Sequence, residues 1–424
     1  MKILSVTTYD ITGGAARAAY RLHQGLKLLG VDSRMLVQFK RSADPSVDGP
    51  SGIYADLLDG IRSRLDRMPL WRYRNRRPEF WSLQWLSNDI VRQINRINPD
   101  IVHFHWIGRG FVPITALPKL HCPLVWTLHD MWGFTGGCHY DFECGRWHDQ
   151  CGSCPQLKSK NENDQSRRTW LTKERAWKNI NIHIVTPSGW MTNCARTSSL
   201  FQRMPAQTIP YGINTEIFQP THKETARAKL NLPKDRTLII FGSDYRTSER
   251  RKGFHFLQPV LQSLANRGWK NSAIIGIFGP PAPSVTPDFG LKTFYLGRFS
   301  DEHKLSLVYS AGDIFLAPSI QDNLANTVVE ALSCGTPCVA FNIGGMPDMI
   351  EHKTNGYLAK PFEIEDFSQG IEWILSDRGR HQSLCRNARE KILHGFTLEL
   401  QAKAYLNLYT GLLKERSSLP GSQE

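Results

Sequence analysis

Residues able to do chemistry gather in a few places along this chain. Cys138, Cys144, Cys151 and Cys154 stand in the segment GGCHYDFECGRWHDQCGSCPQL with spacing C-x5-C-x6-C-x2-C. Four soft thiolates in tetrahedral array suit zinc, and a short loop can supply all of them. The set is expected to hold a structural zinc ion, with His139 and His148 as substitute ligands. An iron–sulfur cluster and unliganded packed thiols are the alternatives. Arg246, Arg250, Arg251 and Lys252 lie between an apolar run ending at Gly242 and an amphipathic stretch opening at Gly253. Cations just before a helix N-terminus oppose its dipole unless an anion sits between them. A diphosphate is the expected anion, against the alternative of a solvated basic loop.

Two carboxylates form the richest stretch. Asp322 lies in a loop after an apolar run, and Glu330 follows eight residues later inside the next amphipathic segment. On the buried side of that helix, Glu330 could accept the paired hydroxyls of a ribose. The amides of Asn323, Leu324, Ala325 and Asn326 would line the helix mouth and could hold sugar groups or phosphate. Near the N-terminus, Gly13-Gly14 follows the first apolar run and opens a helix. Ala15, Ala16, Ala18 and Ala19 keep that helix slim, which allows close approach of a ligand.

The elements that must position these residues alternate between short apolar runs and amphipathic stretches, the pattern of strand–helix–strand units and parallel sheets. A first series has strands at Ile3–Thr7, Met35–Gln38, Ile101–His105, Leu124–His129 and Ile182–Thr186. Its helices are expected from Gly13-Gly14 to about Leu29 and near Asp89–Asn98, Arg167–Asn179 and Ser188–Ser198. The Pro- and Gly-rich IPYGINTEIFQP, Ile209–Pro220, reads as a hinge. A second series has strands at Thr237–Gly242, Ala273–Phe278, Thr293–Leu296, Asp313–Leu316 and Pro337–Ala340. Helices fall between them and after them, and Leu398–Lys414 closes the chain. In doubly wound sheets ligands bind beyond the carboxyl ends of strands, which is where the candidate residues fall.

With 424 residues, 41% hydrophobic and 21% charged, the chain exceeds one ordinary core and is neither disordered nor fibrous. No apolar run approaches the roughly 20 residues of a membrane span. The opening MKILSVTTYD reads as a strand rather than a leader, so a cytoplasmic location is expected. The nine cysteines are an odd number, which argues against a disulfide framework. The formal charge is +13, and residues 62–77 hold seven arginines against one acid, interleaved with Leu65, Met68, Leu70, Trp71 and Tyr73. Arginine mixed with apolar and aromatic side chains suits an anionic membrane surface, so peripheral association at the inner face of the membrane is expected. The alternative is a solvated helix whose aromatics join the core. No nucleic-acid-binding signature accompanies the basic residues, so no nucleic acid partner is expected.

At Asp322-x7-Glu330, then Cys334-Gly335-Thr336-Pro337, the sequence resembles the retaining glycosyltransferases of family 4. Lys252-Gly253, Pro210-Tyr211-Gly212-Ile213-Asn214, Gly344-Gly345 and Asn355-Gly356 add to the likeness. Glycosyltransferases of exopolysaccharide and lipopolysaccharide assembly look similar at Gly13-Gly14-Ala15-Ala16-Arg17 and at His129-Asp130-Met131-Trp132. The resemblance covers nearly the whole chain and implies the α/β GT-B architecture, two doubly wound Rossmann-like domains facing across a cleft. It implies an acceptor-side domain over 1–212, a nucleotide-sugar domain over 213–395, and a C-terminal helix within 396–424 crossing back to the first. It implies transfer of a hexose-type sugar, with retention, from a nucleotide-diphosphate sugar to a glycan or lipid-linked saccharide in surface polysaccharide assembly.

In that reading Glu330 binds the ribose, and Lys252 with a nearby arginine, Arg246 or Arg251, binds the diphosphate. Asp322 holds sugar hydroxyls, and His129 stands beside the reacting sugar. No cofactor is required for catalysis, and any zinc would be structural. Two departures stand out: Asp322 replaces the usual Glu, and Ala325 a usual Gly. A nucleotide-sugar epimerase, or an inactive sugar- or lipid-binding scaffold of the same fold, is the alternative.

Overall fold

The computed structural model describes residues 1–242, 250–279, 281–282 and 286–418. They form two compact units, one of Met1–Ile209 with the chain from Gln401 on, the other of Pro210–Leu400.

The first unit is built on strands β1 (Lys2–Tyr9), β2 (Asp32–Phe39), β3 (Val47–Asp48), β4 (Ile101–Phe104), β5 (Leu124–Thr127), β6 (Ile182–Thr186) and β7 (Ala206–Thr208), ordered β3-β2-β1-β4-β5-β6-β7. All pairings are parallel. Parallel strands covered on both faces read as continuous apolar runs, and β4 and β5 are buried throughout. One face packs Val6, Val102, Phe104 and Trp126 into a core dense in tryptophan. The other packs Ile3, Ile101, Val125 and Val185 against Tyr405 and Tyr409 of the helix Leu398–Ser418.

The second unit carries β8 (Thr237–Gly242), β9 (Ala273–Phe278), β10 (Lys292–Gly297), β11 (Ile314–Ala317), β12 (Cys338–Phe341) and β13 (Gly356–Ala359), ordered β10-β9-β8-β11-β12-β13 and again parallel. Its core joins Ile239, Ile275, Leu316 and Val339 to helices on the flank. The segment expected to be a hinge enters this unit at Pro210, where Ile213 N donates to Phe396 O at 2.9 Å and Ile213 O accepts from Leu398 N at 3.1 Å.

In each sheet the chain reverses its winding once, between β1 and β4 in the first and between β8 and β11 in the second. A doubly wound sheet opens a crevice at that reversal, because the two following loops turn to opposite faces. Gly13 and Gly14 follow β1, Lys252 follows β8 and Asp322 follows β11. These candidate residues therefore follow the strands on either side of the two reversals.

Candidate functional site

In the second unit the loops after β8 and β11 are joined by backbone. Gly253 has φ 70°, and a Cβ there would lie 1.7 Å from the Pro318 carbonyl oxygen, so only glycine allows this approach. Ile320 N donates to Arg251 O at 2.8 Å. That clamp delivers Lys252 to the buried Asp322, whose Oδ2 accepts from Lys252 Nζ at 2.7 Å. Arg251 Nη1 lies 3.3 Å from Asp322 Oδ1 and donates to Gln321 O at 3.2 Å. Ser319 Oγ, at 3.3 Å, and Asn323 N, at 3.1 Å, donate to the same carboxylate. Burial alone would push the Asp322 carboxyl up, but Lys252 and Arg251 hold it below the usual range.

Asp322 is also fixed through its backbone. Gly345 N donates to Asp322 O at 3.1 Å, and a Cβ on Gly344, which has φ 51°, would fall 2.1 Å from that oxygen. The helix Asn326–Ser333 follows, with Ala325 at its N-cap and the buried Glu330 in its second turn. Glu330 Oε2 accepts from the Tyr309 hydroxyl at 2.8 Å. In the helix's first turn Val328 N donates to Ala325 O at 3.0 Å, and Asn323, Leu324 and Ala325, just ahead of the helix, are buried. The structure thus brings together Lys252, Asp322, Asn323 and the helix carrying Glu330. Arg246 lies outside the described residues, and Arg251 is the arginine that the described residues place on Asp322.

In the first unit Gly13 has φ 89° and caps the helix Gly14–Leu28. The loop ahead of it is organised by Asp10, whose carboxylate accepts from the amides of Ile11, Arg41 and Ser42 at 2.7–3.0 Å. The loops after β4 and β5 bring His105 and His129 together, with His105 Nδ1 3.1 Å from His129 Nε2. His103 lies under His105, ring centroids 4.0 Å apart. Burial pushes the His129 imidazole down to about 4, against the opposing pull of Asp130, and pushes His103 and His105 well below the ordinary value. All three are neutral near pH 7.

Beside them Asp130 accepts from Trp106 Nε1 at 2.7 Å and from Trp132 N at 2.9 Å, and pairs with His139 Nδ1 at 2.6 Å. Burial would raise the Asp130 carboxyl, but His139 and these donors hold it below the usual range. His105, His129, Asp130 and His139 line a small cavity of about 10 Å³, room for about one water.

The expected zinc centre is not assembled. Among the described residues no group of three or more His, Cys, Asp or Glu side chains is placed to hold a metal ion. Cys138 and Cys154 lie in a small apolar cluster with Leu70, Trp81, Leu83 and Leu157, and Cys151 packs against the main core, with the four thiols still near enough to act on one another. Burial raises all four thiols, with Cys151 at about 12 and Cys154 at about 11, and the neighbouring thiols add to the rise at Cys138, Cys151 and Cys154.

Reasoning from residue types missed Tyr309 and Asp10, which have partners remote in sequence, and Ser319, whose partner Asp322 is only three residues on. A signal for the histidine stack was present. His103 and His105, and likewise Thr127 and His129, stand two residues apart, the period that puts strand residues on one face.

Comparison with known proteins agrees on both units. A family model described as Glycosyltransferase Family 4 matches residues 12–217, and one described as Glycosyl transferases group 1 matches residues 222–391. A D-inositol 3-phosphate glycosyltransferase of Mycobacterium tuberculosis is 23% identical over 313 residues, 69% of this chain and 56% of that protein. The first curated relatives are matched over 30 to 56% of their own length. Among solved structures, sucrose-phosphate synthase from Thermosynechococcus elongatus has TM-score 0.68 at 17% identity, covering 98% of this chain and 100% of that one. The Anabaena protein HepE, solved with UDP and glucose, has TM-score 0.65 at 15% identity, covering 97% and 100%.

Proposed function

Because the chain belongs to the family 4 glycosyltransferases and has their GT-B fold of two Rossmann-like domains, we propose that it transfers a hexose-type sugar from a nucleotide-diphosphate sugar, with retention at the anomeric carbon. The acceptor in this reading is a glycan or lipid-linked saccharide of surface polysaccharide assembly. The observation that carries the reading is the Lys252–Asp322–Arg251 cluster at the winding reversal of the second sheet. One carboxylate there holds two cations, leaving one positive charge in excess for a diphosphate. The complex of HepE with UDP and glucose supports a uridine nucleotide as the first donor to try.

In this reading each residue has a role that the geometry supports. Lys252 and Arg251 stabilise charge that grows on the leaving diphosphate as the glycosidic bond breaks. Asp322 aims the two cations, and in the loaded site it shares an oxygen with a sugar hydroxyl. Glu330 takes the ribose hydroxyls alongside Tyr309. His129, neutral and weakly basic, is poorly matched to general-base work near pH 7 and serves as a hydrogen-bonding partner of the transferred sugar. The acceptor proton then passes to the leaving phosphate oxygen.

A lipid-linked acceptor gains support from a different feature. The helix Ile53–Asp66 and the turn Met68–Arg72 after it expose a run of large apolar side chains, with Ile53, Tyr54 and Trp71 at 86%, 84% and 66% exposure. Arg64, Arg72, Arg74 and Arg77 are exposed in the same segment, whereas Arg62 is spent on the Gly110 and Leu86 carbonyls. Apolar side chains flanked by arginine fit the headgroup region of an anionic bilayer. The apolar surface begins at Ile53, ahead of the basic run 62–77. No helix among the described residues is long and apolar enough to cross a membrane.

Calorimetric titration with UDP, GDP, UDP-glucose and GDP-mannose, followed by product analysis, tests the reading. Release of nucleoside diphosphate with a lengthened glycan is expected. An isomerised nucleotide sugar, or no nucleotide binding at all, would overturn it in favour of an epimerase or a scaffold.

A further inference from the structure

The two cations assigned to the diphosphate are paired with a carboxylate of their own unit. Lys252 Nζ donates to Asp322 Oδ2 at 2.7 Å, and Arg251 Nη1 lies 3.3 Å from Oδ1. Backbone contacts hold both sides of this pairing. Ile320 N donates to Arg251 O at 2.8 Å, Gly253 packs on the Pro318 carbonyl, and Gly345 N donates to Asp322 O at 3.1 Å. The pairing is therefore set by the loops and not by two long side chains meeting at a surface. The Lys252 side chain keeps 23% exposure against 7% for Asp322, so an arriving anion reaches the lysine more readily than the carboxylate.

A carboxylate aimed at the cations of an anion site has a physical consequence. In a nucleotide sugar the terminal phosphate is esterified and carries one negative charge. Once the bond to the sugar breaks, that phosphate has a second ionisation at about pH 6, so near neutral pH it carries nearly one charge more. Two cations alone would then hold the product more tightly than the donor. Asp322, kept ionised by those cations, lowers the excess charge from two, for Lys252 and Arg251, to one. Hydroxyls of a bound sugar can donate to the carboxylate in place of Lys252, and the product brings no such hydroxyls. Ser319 Oγ and Asn323 N, donating at 3.3 Å and 3.1 Å, satisfy part of the carboxylate in both cases.

We infer that Asp322 is a specificity-determining residue that sets donor apart from product: its carboxylate competes with the nucleoside diphosphate for Lys252 and Arg251, and gives way to a nucleotide sugar whose hydroxyls take it up. This rests on the proposed diphosphate role of the cluster, and it specifies how that site releases its product. The same carboxylate thus serves the sugar before transfer and the cations after it.

The test is calorimetric titration of the full-length protein near neutral pH with UDP, UDP-glucose, GDP and GDP-mannose, in wild type, Asp322→Asn and Asp322→Ala. The wild type should bind a nucleotide sugar at least as tightly as the matching diphosphate. Asp322→Asn should bind the diphosphate about tenfold more tightly and the nucleotide sugar no more tightly than wild type, which reverses the order. In turnover assays its kcat should fall, and the released diphosphate should inhibit it at about a tenfold lower concentration. Added salt should weaken diphosphate binding more steeply in Asp322→Asn than in wild type, because the variant site carries the larger net charge. A merely structural role for Asp322 predicts weaker binding, not tighter. A folded Asp322→Asn or Asp322→Ala that binds the diphosphate no more tightly than wild type overturns the inference. If neither variant folds, the wild type decides, and a diphosphate bound more tightly than its nucleotide sugar overturns it. Binding of none of the four ligands to wild type would instead overturn the nucleotide site itself.

Discussion

The two units share one topology but equip their winding reversals with opposite electrostatics. In the second unit Lys252 and Arg251 pair with the buried Asp322 and hold its carboxyl below the usual range. In the first unit, burial strips charge from His103, His105 and His129, and what remains is a neutral stack. An anionic leaving group needs the first kind of site, because preorganised cations stabilise charge that develops there. A sugar needs the second, because hydroxyls are recognised by neutral donors and acceptors that need not be desolvated as ions. In the proposed function the same sheet order would serve two ligand chemistries through the side chains placed at its loops.

The contrast should show most strongly on acidification. His23 and His129 have native values pushed down to about 4 by burial, from an ordinary 6.5. A group depressed in this way binds fewer protons in the native state than in the unfolded one. Stability is therefore full above about pH 6.5 and is lost as pH falls toward 4. At pH 5 each of the two histidines should cost the first unit about 2 kcal/mol. Asp322 in the second unit is depressed too, but its contribution is lost only below the ordinary carboxylate range near pH 4. Amide exchange followed from pH 7 to pH 4.5 should show β1, β4 and β5 losing protection before β8 and β11. Equal loss in both sheets would break the contrast.

Next in size is the charged cluster itself. Lys252→Ala leaves Asp322 buried with Arg251 alone, and removing one partner of a buried pair costs about 3 kcal/mol. Denaturant unfolding should show that loss in the second unit, and UDP titration should show weakened binding. Double replacement Lys252→Met with Asp322→Leu should recover stability but not nucleotide binding. Glu330→Gln comes third: the ribose loses a charged acceptor, and nucleotide affinity should fall by about 2 kcal/mol with the fold retained. Unchanged UDP affinity would remove Glu330 from the site.

The smallest effect concerns the exposed helix of the first unit. Sedimentation with vesicles containing phosphatidylserine should fall as salt rises and be negligible with phosphatidylcholine alone. Trp71→Ala should weaken it by about 1–2 kcal/mol, the transfer energy of one large apolar side chain. Equal partition to both vesicle types would place the segment elsewhere.

Much of the fold was legible because buried parallel strands are runs of apolar residues. Thr237–Gly242 and Ala273–Phe278 stand at the same residues in the structure as in the sequence reading. Three short strands escaped it. Val47–Asp48 and Ala206–Thr208 have two and three residues, too few to show a period, and Gly356–Ala359 opens on a glycine that signals a turn. All three sit at sheet edges, where one neighbouring strand supplies order that composition does not. The helix Ile53–Asp66 was seen only through its basic end, because its apolar face is turned outward and produces no core pattern.

Residue types and spacing by themselves determined that cations would follow β8, that a carboxylate would follow β11, and that Glu330 would lie inside the next helix. Those facts are local, since a strand, its loop and the helix start are contiguous in the chain. Which groups meet was decided only by the tertiary structure. Gly253 against Pro318 selects Lys252 and Arg251 as the partners of Asp322, and Tyr309 reaches Glu330 across 21 positions. The cysteines show the same division from the other side. Their spacing suits a metal, yet a spacing sets only what the loop permits. Apolar packing around Trp81 and Leu157 buries two of the thiols in one cluster, and a third packs against the main core. Burial acts on side chains that are distant in sequence, so where these thiols point is settled by the whole unit and not by their own loop.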